Sequence, residues 1–274
     1  MIRFLKMHGL SNDFVVFDAR KLALRLGPSE AKLLADRRLG VGCDQIIVIA
    51  SAPGADAHMR ILNSDGSEAE ACGNAARCVA RLLLEEMGGE EIRLDTKGGL
   101  LLCRDAGAGL VSVDMGAPAL VWDKIPLSKP ADTNGFALNV DGTPHLVSAV
   151  SMGNPHCVLF LEDAETAPVA SLGPRIETHP MFPARTNVEF VGVVSRQRLR
   201  LRVWERGAGM TRACGSGACA AAVAAHRRGL TDEKIEVVLD GGVLAIELRD
   251  GRVLMTGPAS LSFRGEVDIE GLRS

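Results

Sequence analysis

Three observations predict an α+β fold of two structurally similar domains, each with strands wrapped around a central helix, and an active site in the cleft between them. Distinctive strings recur at a constant offset of 142 positions (154 − 12 = 142; 214 − 72 = 142). Short β-branched runs bounded by Gly and Pro run through both halves, as strands do. One segment rich in Ala, Leu, Arg and Glu in each half stops at a glycine, the signature of a helix C-terminus.

The repeat opens with Asn12 before Asp-Phe-Val-Val-Phe, answered by Asn154 before Pro-His-Cys-Val-Leu-Phe. Gln45 before Ile-Ile-Val is answered by Asn187 before Val-Glu-Phe-Val, Asn63 by Glu205, and Cys72-Gly73-Asn74 by Cys214-Gly215-Ser216. Strands are expected over 14–17, 46–49 and 92–94 in the first half, and over 158–160, 190–194, 199–203 and 235–239 in the second. The principal helices are expected over 75–87 and 218–228, closed by Gly88 and Gly229, with a further helix over 29–38 begun by Ser29 as its N-cap. The halves divide as 1–118, carrying Cys72, and 119–262, carrying Cys214, with 263–274 a terminal strand returning to the first half.

Composition narrows the function. The chain has 274 residues, 47% of them apolar and 24% charged, enough to bury two cores. A formal net charge of −3 and scattered Lys and Arg disfavour nucleic acid and anionic membranes as partners, leaving small molecules. Residues 1–6 show no signal-peptide core and no apolar run reaches bilayer length, so the expected location is cytoplasmic. The seven cysteines form an odd set without Cys-x-x-Cys spacing, which argues against both a disulfide framework and a metal site.

Two of the seven stand apart. Cys72 and Cys214 each precede Gly and a small polar residue at the start of a predicted helix, among unsatisfied backbone N–H groups at the positive end of the dipole. That setting is expected to lower a thiol pKa, and the N–H groups of Gly73-Asn74 and Gly215-Ser216 offer a carboxylate site. If a pseudo-twofold axis brings the two helix starts together, two thiols flank one α-carbon. One removes a proton as thiolate; the other returns a proton to the opposite face. No lysine lies in a context that calls for pyridoxal phosphate, so cofactor-free proton transfer is expected, with dipoles and N–H donors stabilising the carbanion. Positions that differ between halves read an asymmetric substrate: Glu205 suits an ammonium and Arg206 a carboxylate, which implies an amino acid with additional charge.

Taken together, Lys6-Met7-His8-Gly9, Asn63-Ser64-Asp65-Gly66, Cys72-Gly73-Asn74, Gly153-Asn154-Pro155-His156, Arg185-Thr186-Asn187 and Glu205-Arg206-Gly207 through Cys214-Gly215-Ser216 resemble the diaminopimelate epimerase family. The resemblance implies interconversion of LL- and meso-2,6-diaminopimelate without cofactor, in lysine and peptidoglycan precursor biosynthesis, by Cys72 and Cys214 in alternating acid and base roles. It further implies that Gly73, Asn74, Gly215 and Ser216 hold the reacting carboxylate, and that Asn63, Asn154, Asn187 and Arg206 hold the distal amino-acid end. Asn12, Gln45 and Glu205 complete the site, and His156 supports the acid/base chemistry. The family is commonly homodimeric. Here Phe263 replaces a Tyr usual at that interface in some relatives, and Ser11 and Ala75 stand where Gly is common.

Blander readings exist for each residue. Asn63 in Asn-Ser-Asp-Gly also reads as a turn, Glu205-Arg206 as a solvated pair, and His156 as a satisfied core histidine. Cys43, Cys78, Cys103, Cys157 and Cys219 are expected in the core. Rival functions are a proline or hydroxyproline racemase, a thiol redox protein using a Cys72–Cys214 disulfide, and an amino-acid-binding module that leaves stereochemistry unchanged.

Overall fold

The computed structural model describes residues 1–70 and 72–273. Ser274, the end of the expected terminal strand, and Ala71, before the first repeat cysteine, lie outside the described residues. Two compact units divide the chain: Met1–Val113 with the segment from Thr256 onward, and Asp114–Met255. Residues 114–118 therefore fall in the second unit and 256–262 in the first, against the sequence expectation of divisions at 118 and 262. The return occurs inside a strand, Arg252–Pro258, just before its Gly257-Pro258 end.

The first repeat runs β1 (Ile2–Gly9), β2 (Asn12–Asp18), α1 (Pro28–Ala35), β3 (Gln45–Ala50), β4 (Ala57–Asn63), β5 (Glu68–Ala69), α2 (Gly73–Met87), β6 (Glu91–Thr96), β7 (Gly99–Asp105) and β8 (Leu110–Asp114). The second follows as β9 (Phe136–Val140), β10 (Thr143–Ser151), β11 (Pro155–Leu161), α3 (Val169–Glu177), β12 (Asn187–Ser195), β13 (Arg198–Glu205), β14 (Gly209–Thr211), α4 (Gly215–Arg227), β15 (Lys234–Leu239), β16 (Gly242–Arg249) and β17 (Arg252–Pro258), after which comes β18 (Ser260–Val267). Among the described residues no helix is long and apolar enough to cross a membrane.

The ladders repeat as the strings do. In the first unit β2 pairs parallel with β3, Phe14 opposite Gln45, and β3 pairs antiparallel with β4, Gln45 opposite Asn63. In the second, β11 pairs parallel with β12, His156 opposite Asn187, and β12 antiparallel with β13. Shifting Phe14 and Gln45 by 142 gives His156 and Asn187, so the register is shared. β18 lies antiparallel to β1, the place that β9 takes beside β10.

Each unit closes around its long helix. α2 packs on β1, β6 and β7, and α4 on β10 to β13, β15 and β16. α2 begins at Cys72, whose backbone is extended, and ends at Gly88 in the left-handed conformation (φ 69°), where a side chain would be strained. The short residues of α4, including Ala220, Ala221, Ala222, Ala224 and Ala225, let strands approach it closely, and all are buried. α1 differs from expectation. Gly27, not Ser29, is its N-cap, because Pro28 supplies the preset φ of a first helical residue and the Glu30 carboxylate accepts the Gly27 N–H at 2.8 Å. The core of the first unit gathers Phe4, Val15, Phe17, Leu34, Ile46 and Leu62, and that of the second Val147, Leu159, Ile176, Phe182 and Phe190.

Candidate active site

Every residue singled out in the first repeat lies at one end of its unit's sheet or at the start of α2. Asn12 opens β2, Gln45 opens β3 and Asn63 ends β4. Cys72 is the N-cap of α2 with φ −149° and ψ 110°, and the first helical bond runs from Ala76 N–H to its carbonyl at 2.9 Å. The amides of Gly73 and Asn74 therefore occupy the first turn, where the helix itself provides no acceptor. Asn12 Oδ1 accepts from Asn74 Nδ2 at 3.2 Å and lies 3.9 Å from Cys72 Sγ, while Asn12 Nδ2 donates to Asp44 at 3.0 Å. Asp44 thus orients the amide with its oxygen toward the thiol. Asp44 is itself tied to Arg37, which also binds Asp13, and Lys6 and Arg37 hold the Asp13 carboxyl well below the usual carboxylate range. Gln45 Nε2 donates to Asn63 Oδ1 at 2.8 Å, and Asn63 Nδ2 to Ser67 Oγ at 2.9 Å. Asn63 thus serves its turn and meets its repeat neighbour at once. The outer oxygens of Gln45 and Asn74 are buried with no hydrogen-bond partner.

The second unit repeats the frame with different groups. Cys214 caps α4 with φ −124° and ψ 109°, and Ala218 N–H bonds to its carbonyl at 3.0 Å. Its Sγ accepts the Gly217 N–H at 3.4 Å and lies 3.7 Å from Ser216 Oγ. The Glu205 carboxylate takes a hydrogen bond from the Cys214 thiol and another from the Thr211 hydroxyl on β14. Asn154 Nδ2 donates to Ser216 Oγ at 3.3 Å, and its Oδ1 meets His156 Nε2 at 2.9 Å.

The electrostatics depart from expectation. A helix start was expected to lower the thiol pKa, yet burial pushes Cys214 well above the ordinary thiol value, and the charges of Glu205 and Glu189 push it further. The donors at Gly217 and Ser216 act in the opposite sense without overcoming burial. At rest Cys214 carries its proton. Burial likewise raises Glu205, against the hydrogen bonds from Thr211 and Cys214.

Asn187 and Arg206 do not present free ends. Asn187 is 3% exposed; its Oδ1 accepts the Arg206 N–H at 2.9 Å and its Nδ2 donates to Pro155 O at 3.0 Å. It is a brace between the entry to β11 and the turn after β13. Arg206 is exposed and its guanidinium reaches Ala184 O at 3.0 Å. Cys43, Cys78, Cys103, Cys157 and Cys219 are all buried, as expected of core thiols. Sequence reasoning passed over Asp44 and Glu189. The signal for Glu189 was a lone charge inside the Val-rich run 188–194, at the repeat position of Ile47.

Comparison with known proteins completes the picture. The family profile described as diaminopimelate epimerase matches residues 4–121 and 148–262. A diaminopimelate epimerase of Acidiphilium cryptum (strain JF-5) is 53% identical over 266 residues, covering 97% of this chain and 96% of the relative. One of Pseudomonas fluorescens (strain Pf0-1) is 50% identical over 275 residues, covering 98% of this chain and 100% of the relative. Among solved structures, a probable proline racemase from Agrobacterium radiobacter K84 superposes with a TM-score of 0.72 at 15% identity, over 98% of this chain and 93% of that one. A hydroxyproline epimerase from Agrobacterium vitis gives 0.68 at 17%, over 96% and 91%. At that identity the solved structures share the fold. The sequence relatives share far more, and on their account the chain is an isomerase of the epimerase type that belongs to the diaminopimelate epimerase family.

Proposed function

We propose that this enzyme interconverts LL- and meso-2,6-diaminopimelate by moving the α-proton between two faces of one carbon, with Cys72 and Cys214 as the acid/base pair and no cofactor. The observation that carries the reading is the repeated cysteine. Both halves place a thiol at the N-cap of equivalent helices with nearly the same backbone angles, φ −149° and ψ 110° against φ −124° and ψ 109°. A core thiol has no reason to recur in that one position of both halves. The relatives' names support the substrate.

In one direction Cys72, as thiolate, takes the α-proton; the C–H electron pair moves into the α-carboxylate as an enolate; and Cys214, as thiol, delivers its proton to the other face. The reverse direction exchanges the roles. First-turn amides at Gly73, Asn74, Gly215 and Ser216 receive the carboxylate and its growing charge. The burial that keeps Cys214 protonated suits the acid role. As a base, it is aided by a substrate ammonium against Glu205, which offsets that carboxylate's charge. Asn63, Asn154, Asn187 and Arg206 frame the distal amino-acid end, Asn12, Gln45 and Glu205 complete the site, and His156 supports the acid/base chemistry. Asn12 and Asn154 also touch the starts of α2 and α4. The reading extends to a cytoplasmic homodimer supplying lysine and peptidoglycan precursors; light scattering tests the dimer.

The decisive experiment follows the α-proton of LL-diaminopimelate by NMR in D₂O, with proline and glutamate as controls and with Cys72→Ala and Cys214→Ala in parallel. Loss of the α-proton with formation of the meso isomer, abolished by either substitution, is expected. Turnover that survives either substitution refutes the two-thiol mechanism, and exchange with proline alone refutes the substrate.

A further inference from the structure

Beneath Cys214 lies a buried carboxyl–imidazole pair in which Glu189 has no part in the proposed proton transfer. Glu189 on β12 and His156 on β11 are both 0% exposed, and Glu189 Oε1 meets His156 Nδ1 at 2.7 Å. The other Glu189 oxygen is buried with no hydrogen-bond partner. Removing such groups from water is costly, and a pair of this kind often stabilises a fold no better than apolar residues of the same size.

The repeat supplies the comparison inside one molecule. Counting back 142 positions, His156 corresponds to Phe14 and Glu189 to Ile47, and both of these are 0% exposed. The strands that carry them pair in the same register, Phe14 opposite Gln45 and His156 opposite Asn187. The same scaffold therefore closes with two apolar side chains in the first half. Nothing in the ladder or the layer calls for polar side chains at these two points.

What differs is the neighbourhood above. From Glu189 a continuous chain of contacts reaches the thiol: His156 Nε2 to Asn154 Oδ1 at 2.9 Å, Asn154 Nδ2 to Ser216 Oγ at 3.3 Å, and Ser216 Oγ to Cys214 Sγ at 3.7 Å. Gly217 makes room for it. A Cβ there would stand 2.9 Å from Glu189 Oε1 and 3.2 Å from Cys214 Sγ, so carboxylate and thiol flank the space of one missing methyl. The corresponding residue of the first half is Ala75, buried as Ile47 is. Glycine, histidine and glutamate thus depart together from alanine, phenylalanine and isoleucine.

We infer that Glu189 is a positioning residue for the Cys214 thiol, acting through His156, Asn154 and Ser216, an inference that rests on the epimerase reading above. By bonding Nδ1, Glu189 sets which way the imidazole faces, so that Nε2–H donates to Asn154 Oδ1. Asn154 is then held with its nitrogen on Ser216, and Ser216 and the Gly217 N–H hold the sulfur. Glu205, at the end of β13, is the other carboxylate at the thiol.

The test compares Glu189→Leu, which fills the site without an acceptor, with Glu189→Gln, which restores one, and with the double variant His156→Phe/Glu189→Ile, which copies the pair of the first half. Turnover is measured in both directions. In parallel, pulse alkylation of the substrate-free protein with iodoacetamide, read by peptide mass spectrometry, gives the rate at Cys214 relative to Cys72. The inference expects Glu189→Leu to lower kcat at least 30-fold with KM within threefold, and Glu189→Gln to recover to within fivefold of wild type. It expects the double variant to fold with an unchanged or higher Tm yet turn over no faster than Glu189→Leu. The Cys214 to Cys72 ratio should move at least threefold in Glu189→Leu and return in Glu189→Gln. Wild-type kcat in Glu189→Leu, a loss confined to KM, or an unchanged thiol ratio overturns it. If Glu189→Leu does not fold, the double variant decides, and a folded double variant with wild-type kcat overturns it. A wild-type enzyme without α-proton exchange defeats the epimerase reading instead, and the thiol ratio still judges the relay.

Discussion

Adding one methyl at Gly217 tests the packing beneath the thiol. Its Cβ would fall 2.9 Å from Glu189 Oε1, 3.2 Å from Cys214 Sγ and 3.3 Å from Cys214 Cβ, whereas 3.4 Å begins ordinary contact. The Glu189 carboxylate must therefore retreat by about half an ångström or the sulfur by a few tenths. Neither can do so freely, since the carboxylate is bound to His156 at 2.7 Å and the sulfur is bound to the Gly217 N–H at 3.4 Å. Overpacking of this kind costs about 1–3 kcal/mol. Alanine returns at most about 1 kcal/mol through helix propensity. The balance for Gly217→Ala is a loss of about 0–2 kcal/mol, or about 0–8 °C in Tm at roughly 2–4 °C per kcal/mol. Activity should suffer more than stability, because displacing an acid/base group by a fraction of an ångström costs on the order of 10- to 100-fold in kcat. The control is Ala75→Gly in the first half, which loses about 1 kcal/mol of helix propensity and leaves kcat within about twofold of wild type. Thermal unfolding by circular dichroism and α-proton exchange by NMR are the assays. A Gly217→Ala enzyme with raised Tm and wild-type kcat would refute the reasoning, since the carboxylate would then be free to move.

Three further outcomes follow from particular residues. Asn187→Ala strips partners from the Arg206 N–H and Pro155 O, and should cost about 2–4 kcal/mol and raise KM more than it lowers kcat; a variant with unchanged Tm would deny the brace. Burial pushes Cys43 up to about 11 and Cys78 and Cys103 up to about 12, from an ordinary 9.0. Their folded values are raised, so their contribution to stability is complete below about pH 9 and is lost as pH rises toward 11–12; Tm should fall over that window, less steeply in Cys103→Ala, and a flat Tm to pH 11 would contradict this. Ser11 sits at φ 70° in the turn between β1 and β2, beside Leu10 at φ 57°. Ser11→Gly should therefore stabilise by about 1 kcal/mol, visible as a higher midpoint in urea, and an unchanged or lower midpoint would show that the turn carries no such strain.

How far the sequence carried the structure depends on which kind of signal each feature leaves. The repeat was legible because its landmarks are local strings, and the shared register of β2 with β3 and of β11 with β12 follows from them. The helix starts at Cys72 and Cys214 were legible from glycine and small polar residues after the cysteine. The N-cap of α1 was misread because Ser29 and Gly27 compete two positions apart, and a carboxylate three residues on decided between them. The return at Thr256 was missed because it falls within a strand, although Gly257-Pro258 follows it at once. Thiol acidity was misjudged for a different reason. A helix dipole can be read from a string, but the burial of Cys214 to 5% exposure is a property of the assembled layers, and it is the larger effect.

The two halves show how one scaffold comes to hold unlike chemistry. Around each thiol an asparagine from the first strand of the motif, Asn12 or Asn154, contacts the start of the helix. In the first half that amide is turned by Asp44, which belongs to an exposed network with Arg37 and Asp13. In the second it is turned by His156 and Glu189, buried where Phe14 and Ile47 would otherwise lie. One thiol is thus oriented from the surface and the other from the core. A solvated network can relax when a substrate arrives, whereas a buried one keeps its geometry, because moving either partner strands the other without a bond. Loss of Asp44 should accordingly be felt in substrate binding, while loss of Glu189 should be felt in turnover, and the contrast between the two in KM and kcat separates a role in orientation from one in holding the fold.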